Sequence, residues 1–436
     1  MQLYLDYFWI LLSKIIVLLI SFTSTIILAK YLGSEQYGKY QYVISISILF
    51  SILINFGYNR VIVKEINSNR FGISPIIISL ISLKLIGSVI ILILGFFFLK
   101  LFYEHHLEYL FLLILASYIL SSFSLKLFFE SRNENSYIFI ATIFSSLISL
   151  ILKIYLIIVQ ADINLFGFSF ILEIIISNSI LLFFFFKLKH SLKFEINFNL
   201  IKSIFNQSYP FALSTVSGTL YHYIDRIMLG SFGEFSELGA YTIYIMFFSY
   251  GTIISSSLST TVMPKLIKLF NTNRKKYYLY VKNILSFNFI IMIFISIFYV
   301  IFLEIIIQTI YSQNFKLNKM IIYFLAFNSI TNAGTLFFAE YLLLKNKSIL
   351  ITYTRIITLL INVLLNYNLI PLYGVYGAAL SSSISVFIFS IFINFFNPSL
   401  KNYLILYFLA FKNIFINPKK ILKENYSLYI NIKNID

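Results

Sequence analysis

Six basic residues lie within or at the end of long apolar stretches: Lys14, Arg60, Lys84, Lys153, Arg226 and Arg355. A Lys or Arg at the centre of a membrane helix costs about 2.5–3.5 kcal/mol on insertion scales. Such a group faces protein or water rather than lipid, and it marks a functional position. Ammonium and guanidinium groups hold anions by charge-assisted hydrogen bonds, so a set of them buried in apolar chain suits an anionic cargo. The opposing reading for Lys14 and Arg355 is snorkelling, with the stem along apolar surface and the head in water.

Acids are fewer. Glu173, Asp225 and Glu340 are the embedded carboxylates. Glu340 has Lys345 near it and reads as a structural pair. Glu173 either pairs with Lys153 or serves as a coupling site for H⁺ or Na⁺. His222, Asp225 and Arg226 are spaced three and four apart, so on a helix they share roughly one side. That cluster is either a protonatable coupling group or a local pair that cancels the Arg226 charge.

The elements that carry these residues are membrane helices. The chain has 436 residues, 59% of them hydrophobic and 11% charged, with a mean hydropathy of +0.88. Spanning a hydrocarbon core of about 30 Å takes roughly 20 apolar residues. Twelve stretches meet that length, at 8–28, 40–58, 76–99, 109–128, 137–159, 166–186, 209–229, 240–263, 283–303, 320–344, 348–369 and 375–396. The first is too long for a signal-peptide core and is read as a retained span. Pro75, Pro210, Pro264, Pro371 and Pro398 are expected at or beside span ends. Tyr403–Ile416 is short and interrupted by Lys412, which suits an interfacial helix.

Basic residues orient the bundle. Loops after even-numbered spans, with the tail, hold 23 of the 33 Lys and Arg, and loops after odd-numbered spans hold 5. Codon bias would load both sides alike, so both termini are expected in the cytoplasm. Lys14, Lys84 and Arg355 then fall in the inner third to half of their spans, Lys153 and Arg226 in the outer third, and Arg60 at the cytoplasmic mouth. The net charge of +16 is explained by this asymmetry, without nucleic acid as a partner.

The halves repeat. Gly38-Lys-Tyr40 after span 1 matches Gly239-Ala-Tyr241 after span 7, 201 residues on, and Leu165-Phe-Gly167 matches Val375-Tyr-Gly377, 210 residues on. The expected fold is all-α: two six-helix lobes at 1–186 and 209–396 around a central cavity, joined by a basic linker at 187–208 and followed by a basic tail at 397–436. Parallel repeats of this kind are a transporter pattern.

Several of these segments resemble a known family. They are Leu28-Ala-Lys-Tyr-Leu-Gly-Ser-Glu-Gln-Tyr-Gly-Lys-Tyr40, Asn55-Phe-Gly-Tyr-Asn-Arg-Val-Ile-Val-Lys-Glu-Ile66, Ile224-Asp-Arg-Ile-Met-Leu-Gly230, Val262-Met-Pro-Lys-Leu266 and Tyr373-Gly-Val-Tyr-Gly-Ala-Ala-Leu-Ser381. They are similar to Wzx-type polysaccharide flippases, within the multidrug/oligosaccharidyl-lipid/polysaccharide exporter superfamily. The resemblance implies a bacterial inner-membrane protein that moves undecaprenyl-diphosphate-linked oligosaccharide, an O-antigen or capsule repeat unit, to the outer leaflet. The six cations would then meet the diphosphate. Asn55, Asn362 and Asn366 are candidates for contacts with sugar hydroxyls. A polysaccharide polymerase and chain-length proteins are plausible partners. The family fixes no substrate residues by motif, so these assignments rest on charge placement. The serine runs Ser255–Ser257 and Ser381–Ser383 suit close helix packing.

No Walker A, His-Glu-x-x-His, Gly-x-Ser-x-Gly or Asp-x-Asp motif occurs, so neither a cofactor nor a metal is expected. A membrane-bound O-antigen polymerase or ligase is the enzyme alternative; it would want a large outer loop, which this chain lacks. A drug exporter of cations would want acids in excess. A flippase for another lipid-linked precursor shares every argument made here.

With no cysteine in the chain, single cysteines report topology directly. Glu195→Cys and Lys275→Cys should react with a membrane-impermeant maleimide only after the cytoplasmic face is opened, and Asp162→Cys in intact cells. The reverse pattern would overturn the orientation.

Overall fold

In the computed structural model, the described residues run from 2 to 416, with breaks at 69–70, 104–105, 191–192, 194, 312–314, 316, 336, 346, 348 and 394–397. Every regular element among them is helical. In chain order they are α1 (Gln2–Asn55), α2 (Tyr58–Asn67), α3 (Ile73–Tyr103), α4 (Glu108–Leu120), α5 (Lys126–Ser131), α6 (Asn135–Ile158), α7 (Phe168–Lys187) and α8 (Phe198–Ser231). Then follow α9 (Phe235–Thr272), α10 (Arg274–Ile310), α11 (Lys319–Ala333), α12 (Phe338–Leu344), α13 (Ile349–Tyr373), α14 (Val375–Phe387) and α15 (Pro398–Ile416).

Seven of these helices are long and apolar enough to cross a bilayer. The twelve expected spans do not map one to one. Spans 1 and 2 share α1, which is broken at Gly33, where φ of 72° and ψ of 173° leave the helical region. Glycine carries that left-handed φ without a Cβ penalty. Span 4 divides into α4, a short 3₁₀ turn and α5, and span 10 divides into α11 and α12. α8 and α9 run straight through Pro210 and Pro264. Their polar ends extend each helix beyond its apolar stretch, so these prolines do not mark ends.

The chain forms two compact units, Met1–Tyr223 and Ile224–Asp436. The division falls inside α8, because its first half packs with the N-terminal unit. Leu200 and Ile204 join Tyr58, Val61 and Ile62 of α2 and Ile76, Leu80 and Leu83 of α3 in one buried cluster. Lys64 donates to Gln207 at 3.0 Å beside it. Half of the expected 187–208 linker is therefore helix.

In the C-terminal unit the core gathers α9, α10, α12 and α15. The segment expected at the interface, Tyr403–Ile416, lies in α15 and packs closely. Tyr403 donates to the Gly334 carbonyl at 2.8 Å, and Tyr407 to that of Thr331 at 3.3 Å.

α3 shows what solvent the fold was built for. Ser79, Lys84 and Ser88 are buried, whereas Ile86, Val89, Leu92, Ile93, Phe96 and Phe97 are more than half exposed. Polar inside and apolar outside is the arrangement a bilayer imposes. Close approach matters at Gly377, where an added Cβ would stand 2.3 Å from the Leu369 carbonyl oxygen. That contact sets α14 against α13. Gly377→Val should abolish monodisperse protein in fluorescence-detected size exclusion, while Gly72→Ala, with 3.5 Å to its nearest neighbour, should not.

Candidate functional site

Two polar clusters stand out, one in each unit. In the C-terminal unit, Asp225 of α8 is almost fully buried, and Asn362 and Asn366 of α13 are completely so. The four-residue spacing of the asparagines puts both on one face of α13. Gly377 holds that face against α14, which supplies Ser382 and Ser385. Asn366 donates to Asp225 Oδ1 at 2.7 Å and to Asn362 Oδ1 at 3.1 Å. Ser382 donates to Asp225 Oδ2, and the Tyr241 hydroxyl reaches the same oxygen at 3.4 Å. Asn362 donates to Ser385 at 3.2 Å. Four helices thus converge on one carboxylate.

The hydrogen bonds to that carboxylate come from neutral groups among the described residues, and the charge of Arg226, the next residue, acts on it through space. The Asn366 Oδ1 atom is buried with no hydrogen-bond partner. A buried oxygen left unsatisfied costs about 1–3 kcal/mol. A carboxyl group, an orphaned amide oxygen and serine hydroxyls form an oxygen set that fits a proton or a small hard cation such as Na⁺. A transition metal would want His or Cys, and no group of three His, Cys, Asp or Glu gathers among the described residues.

In the N-terminal unit a cavity of about 280 Å³ is lined by α1, α6 and α7, with Ser21, Ser24, Thr25, Gln41, Lys153 and Glu173 among its walls. Lys153 donates to Ser24 at 3.2 Å and lies 5.6 Å from the Phe170 ring centroid. Tyr40 stacks on Phe170 at 6.3 Å. Lys153 and Glu173 therefore share a chamber, and no ion pair joins them among the described residues.

The remaining expected residues scatter. Lys84 is 5% exposed, and no described side chain bonds its ammonium. Arg226 is half-buried, and Arg355 and Asn55 are exposed. The side chains of Lys14, Arg60 and Glu340 lie outside the described residues. Lys345, expected to pair with Glu340, donates to the Tyr341 hydroxyl at 2.5 Å.

Three expectations change. His222 does not join Asp225: it is exposed, because neighbours on a helix three apart diverge enough for a buried stripe to take one alone. Asn362 and Asn366, expected to meet sugar hydroxyls, are sealed in the core with their amides directed at Asp225 and Ser385. Ser382, read as a packing residue, donates to Asp225. Tyr241, Ser382 and Ser385 were missed, since Ser and Tyr are common in this chain. The one available signal was the repeat, which pairs Tyr241 with Tyr40.

The polysaccharide biosynthesis protein family model matches residues 4–270, well over half of the chain. The chain belongs to the polysaccharide biosynthesis protein family. A second model, MatE, matches residues 210–368. The capsular polysaccharide biosynthesis protein CapF of Staphylococcus aureus is 22% identical over 381 residues, covering 86% of this chain and 94% of that protein. The probable low-salt glycan biosynthesis flippase Agl15 of Haloferax volcanii is 23% identical over 203 residues, 46% of this chain and 42% of its own length.

Among solved structures, the lipid II flippase MurJ in an inward closed conformation superposes with a TM-score of 0.69 at 19% identity, covering 95% of this chain and 92% of that one. The Vibrio cholerae MATE transporter VcmN gives 0.58 at 11% identity, with 95% and 96% covered. The fold is that of membrane transporters, and the resemblance to the polysaccharide exporters of that superfamily is borne out.

Ser382→Ala removes a donor from a buried carboxylate, which costs about 1–3 kcal/mol. The melting temperature in detergent should fall by several degrees, and Ser382→Thr should restore most of it. An unchanged value for Ser382→Ala would remove Ser382 from the cluster.

Proposed function

We propose that the protein is a flippase that moves undecaprenyl-diphosphate-linked oligosaccharide from the cytoplasmic to the outer leaflet of the bacterial inner membrane, by alternating access coupled to an ion. Both termini are cytoplasmic in this reading, and a polymerase and chain-length proteins would receive the product. The observation that carries it is Lys84, a lysine buried in α3 and bonded by no described side chain. An ammonium is kept inside a membrane helix at such cost only when something else needs it. A diphosphate is the partner that fits, because its oxygens accept several hydrogen bonds from a cation and gain back lost hydration. Lys14, Arg60, Arg226 and Arg355 would extend the cationic path.

Asp225 is the coupling group of this mechanism. It binds the ion through a carboxylate whose partners come from α8, α9, α13 and α14. Filling or emptying the site changes which of those hydrogen bonds the carboxylate can accept, and so changes how the four helices pack. Binding energy at the site becomes a bias between two conformations. His222 and Glu173 remain second candidates for that role, and Asn55 remains a candidate sugar contact. CapF and Agl15 support the glycan cargo by their names, and the transporter fold supports movement without chemistry.

Losing one charge-assisted hydrogen bond costs about 1.5–3 kcal/mol, which is roughly a 10- to 100-fold effect. Lys84→Gln should cut glycan export at least tenfold at normal protein level, with complete lipid-linked units accumulating on the cytoplasmic face; Lys84→Arg should retain part of it. Export by Lys84→Gln at the wild-type rate would overturn the cationic path. In proteoliposomes, Asp225→Asn should lose the dependence of transport on the imposed H⁺ or Na⁺ gradient. Unchanged dependence would remove Asp225 from coupling.

A further inference from the structure

The two polar clusters are related by the internal repeat. Ser24 of α1 and Asp225 of α8 are 201 residues apart, the same interval that separates Tyr40 from Tyr241. Each member contributes to its own unit's cluster: Tyr241 bonds Asp225, and Tyr40 lines the chamber that holds Ser24. The helix preceding each repeated glycine supplies the group that crosses to meet them. In the C-terminal unit Asn366 of α13 bonds Asp225. In the N-terminal unit Lys153 of α6 bonds Ser24. The third helix of each cluster follows the same glycine, with Glu173 on α7 and Ser382 on α14, next to Ser383, which lies 210 residues after Glu173.

The two clusters draw on corresponding helices, coincide in position at Ser24 and Asp225 and at Tyr40 and Tyr241, and differ in charge. The C-terminal one has a carboxylate hydrogen-bonded by neutral partners and an orphaned amide oxygen, and the positive charge of Arg226 acts on that carboxylate through space. The N-terminal one carries its cation on a side chain. The Lys153 ammonium is held by the Ser24 hydroxyl and by the face of Phe170, a cation–π contact that strengthens once water is excluded. Glu173 lines the same chamber, and its charge and that of the ammonium act on each other through space.

We propose that Lys153 is a tethered cation that occupies, in the N-terminal unit, the place an exchangeable ion takes in the C-terminal unit, so that each chain binds one coupling ion rather than two. This rests on the reading of Asp225 as the coupling group, and it assigns Lys153 to the ion balance instead of to the cargo. Removing the ammonium leaves the Glu173 carboxylate uncompensated in a chamber rich in hydroxyl and amide oxygens, from Ser21, Ser24, Thr25 and Gln41. A buried charge without a partner is costly, and oxygen ligands are those a hard monovalent ion accepts. The vacated position becomes a second site.

The test is equilibrium binding of radioactive Na⁺ to the purified full-length protein in detergent. Wild type should bind one Na⁺ per chain, Lys153→Gln two, Lys153→Arg one, and the double variant Lys153→Gln, Glu173→Gln one. Lys153→Ala is read in the same way should Lys153→Gln fail to purify as a monodisperse species. Two ions on wild type, or no gain in a folded Lys153 variant, would overturn the proposal. The Asp225 reading fails separately, when Asp225→Asn binds as much Na⁺ as wild type. A wild type that binds none, with a gain of one in Lys153→Gln, sinks Na⁺ at Asp225 and upholds the tether.

Discussion

A polar group buried in this protein has to find its partner inside the protein. Lipid offers no hydrogen bonds, so each buried donor, acceptor or charge is satisfied by a neighbouring side chain or ligand, or it costs several kcal/mol. That constraint turns α3 inside out, with Ser79, Lys84 and Ser88 buried and Phe96 and Phe97 outside. It also explains why the serines and asparagines gather. Asn362, Asn366, Ser382 and Ser385 form one connected set around Asp225, because each would be expensive alone.

Local backbone features serve the same end. Gly33 lets one long helix turn between two spans without a loop. Gly377 brings α14 close enough to α13 for a serine to reach a carboxylate on α8. Glu237 of α9 accepts the Val375 amide at 2.9 Å, which places an anion at the N-terminal end of α14, where the helix dipole favours it. The carboxylate cluster is therefore fixed by backbone approach first and by side-chain chemistry second. Because its hydrogen bonds come from three other helices, a change at the Asp225 carboxylate reaches the packing of all four.

The repeat gives the two units the same scaffold and different electrostatics. In one, an acid is surrounded by neutral donors. In the other, a lysine and an acid share a chamber. Ser24 and Asp225 stand 201 residues apart, the interval of the Gly-x-Tyr repeat, so a corresponding position carries a hydroxyl in one unit and a carboxylate in the other. Division of labour between repeats requires no change of fold.

The class of the protein was written in its composition. Apolar stretches of membrane length, basic loops on one side and two matched Gly-x-Tyr segments suffice for an all-helical transporter, because bilayer thickness and charge asymmetry act on local sequence. The embedded charges were equally legible, since a Lys or Asp among Ile and Phe is conspicuous. Their partners were not. That Asp225 would meet Asn366 and Ser382 rather than His222, its neighbour on the same helix, depends on which stripe of α8 faces α13 and α14. That Lys153 would meet Ser24, 129 residues away, depends on how α1 lies against α6. Sequence sets which groups are too costly to leave alone; only packing in three dimensions decides which of them satisfy one another, because those contacts join residues that no local periodicity relates.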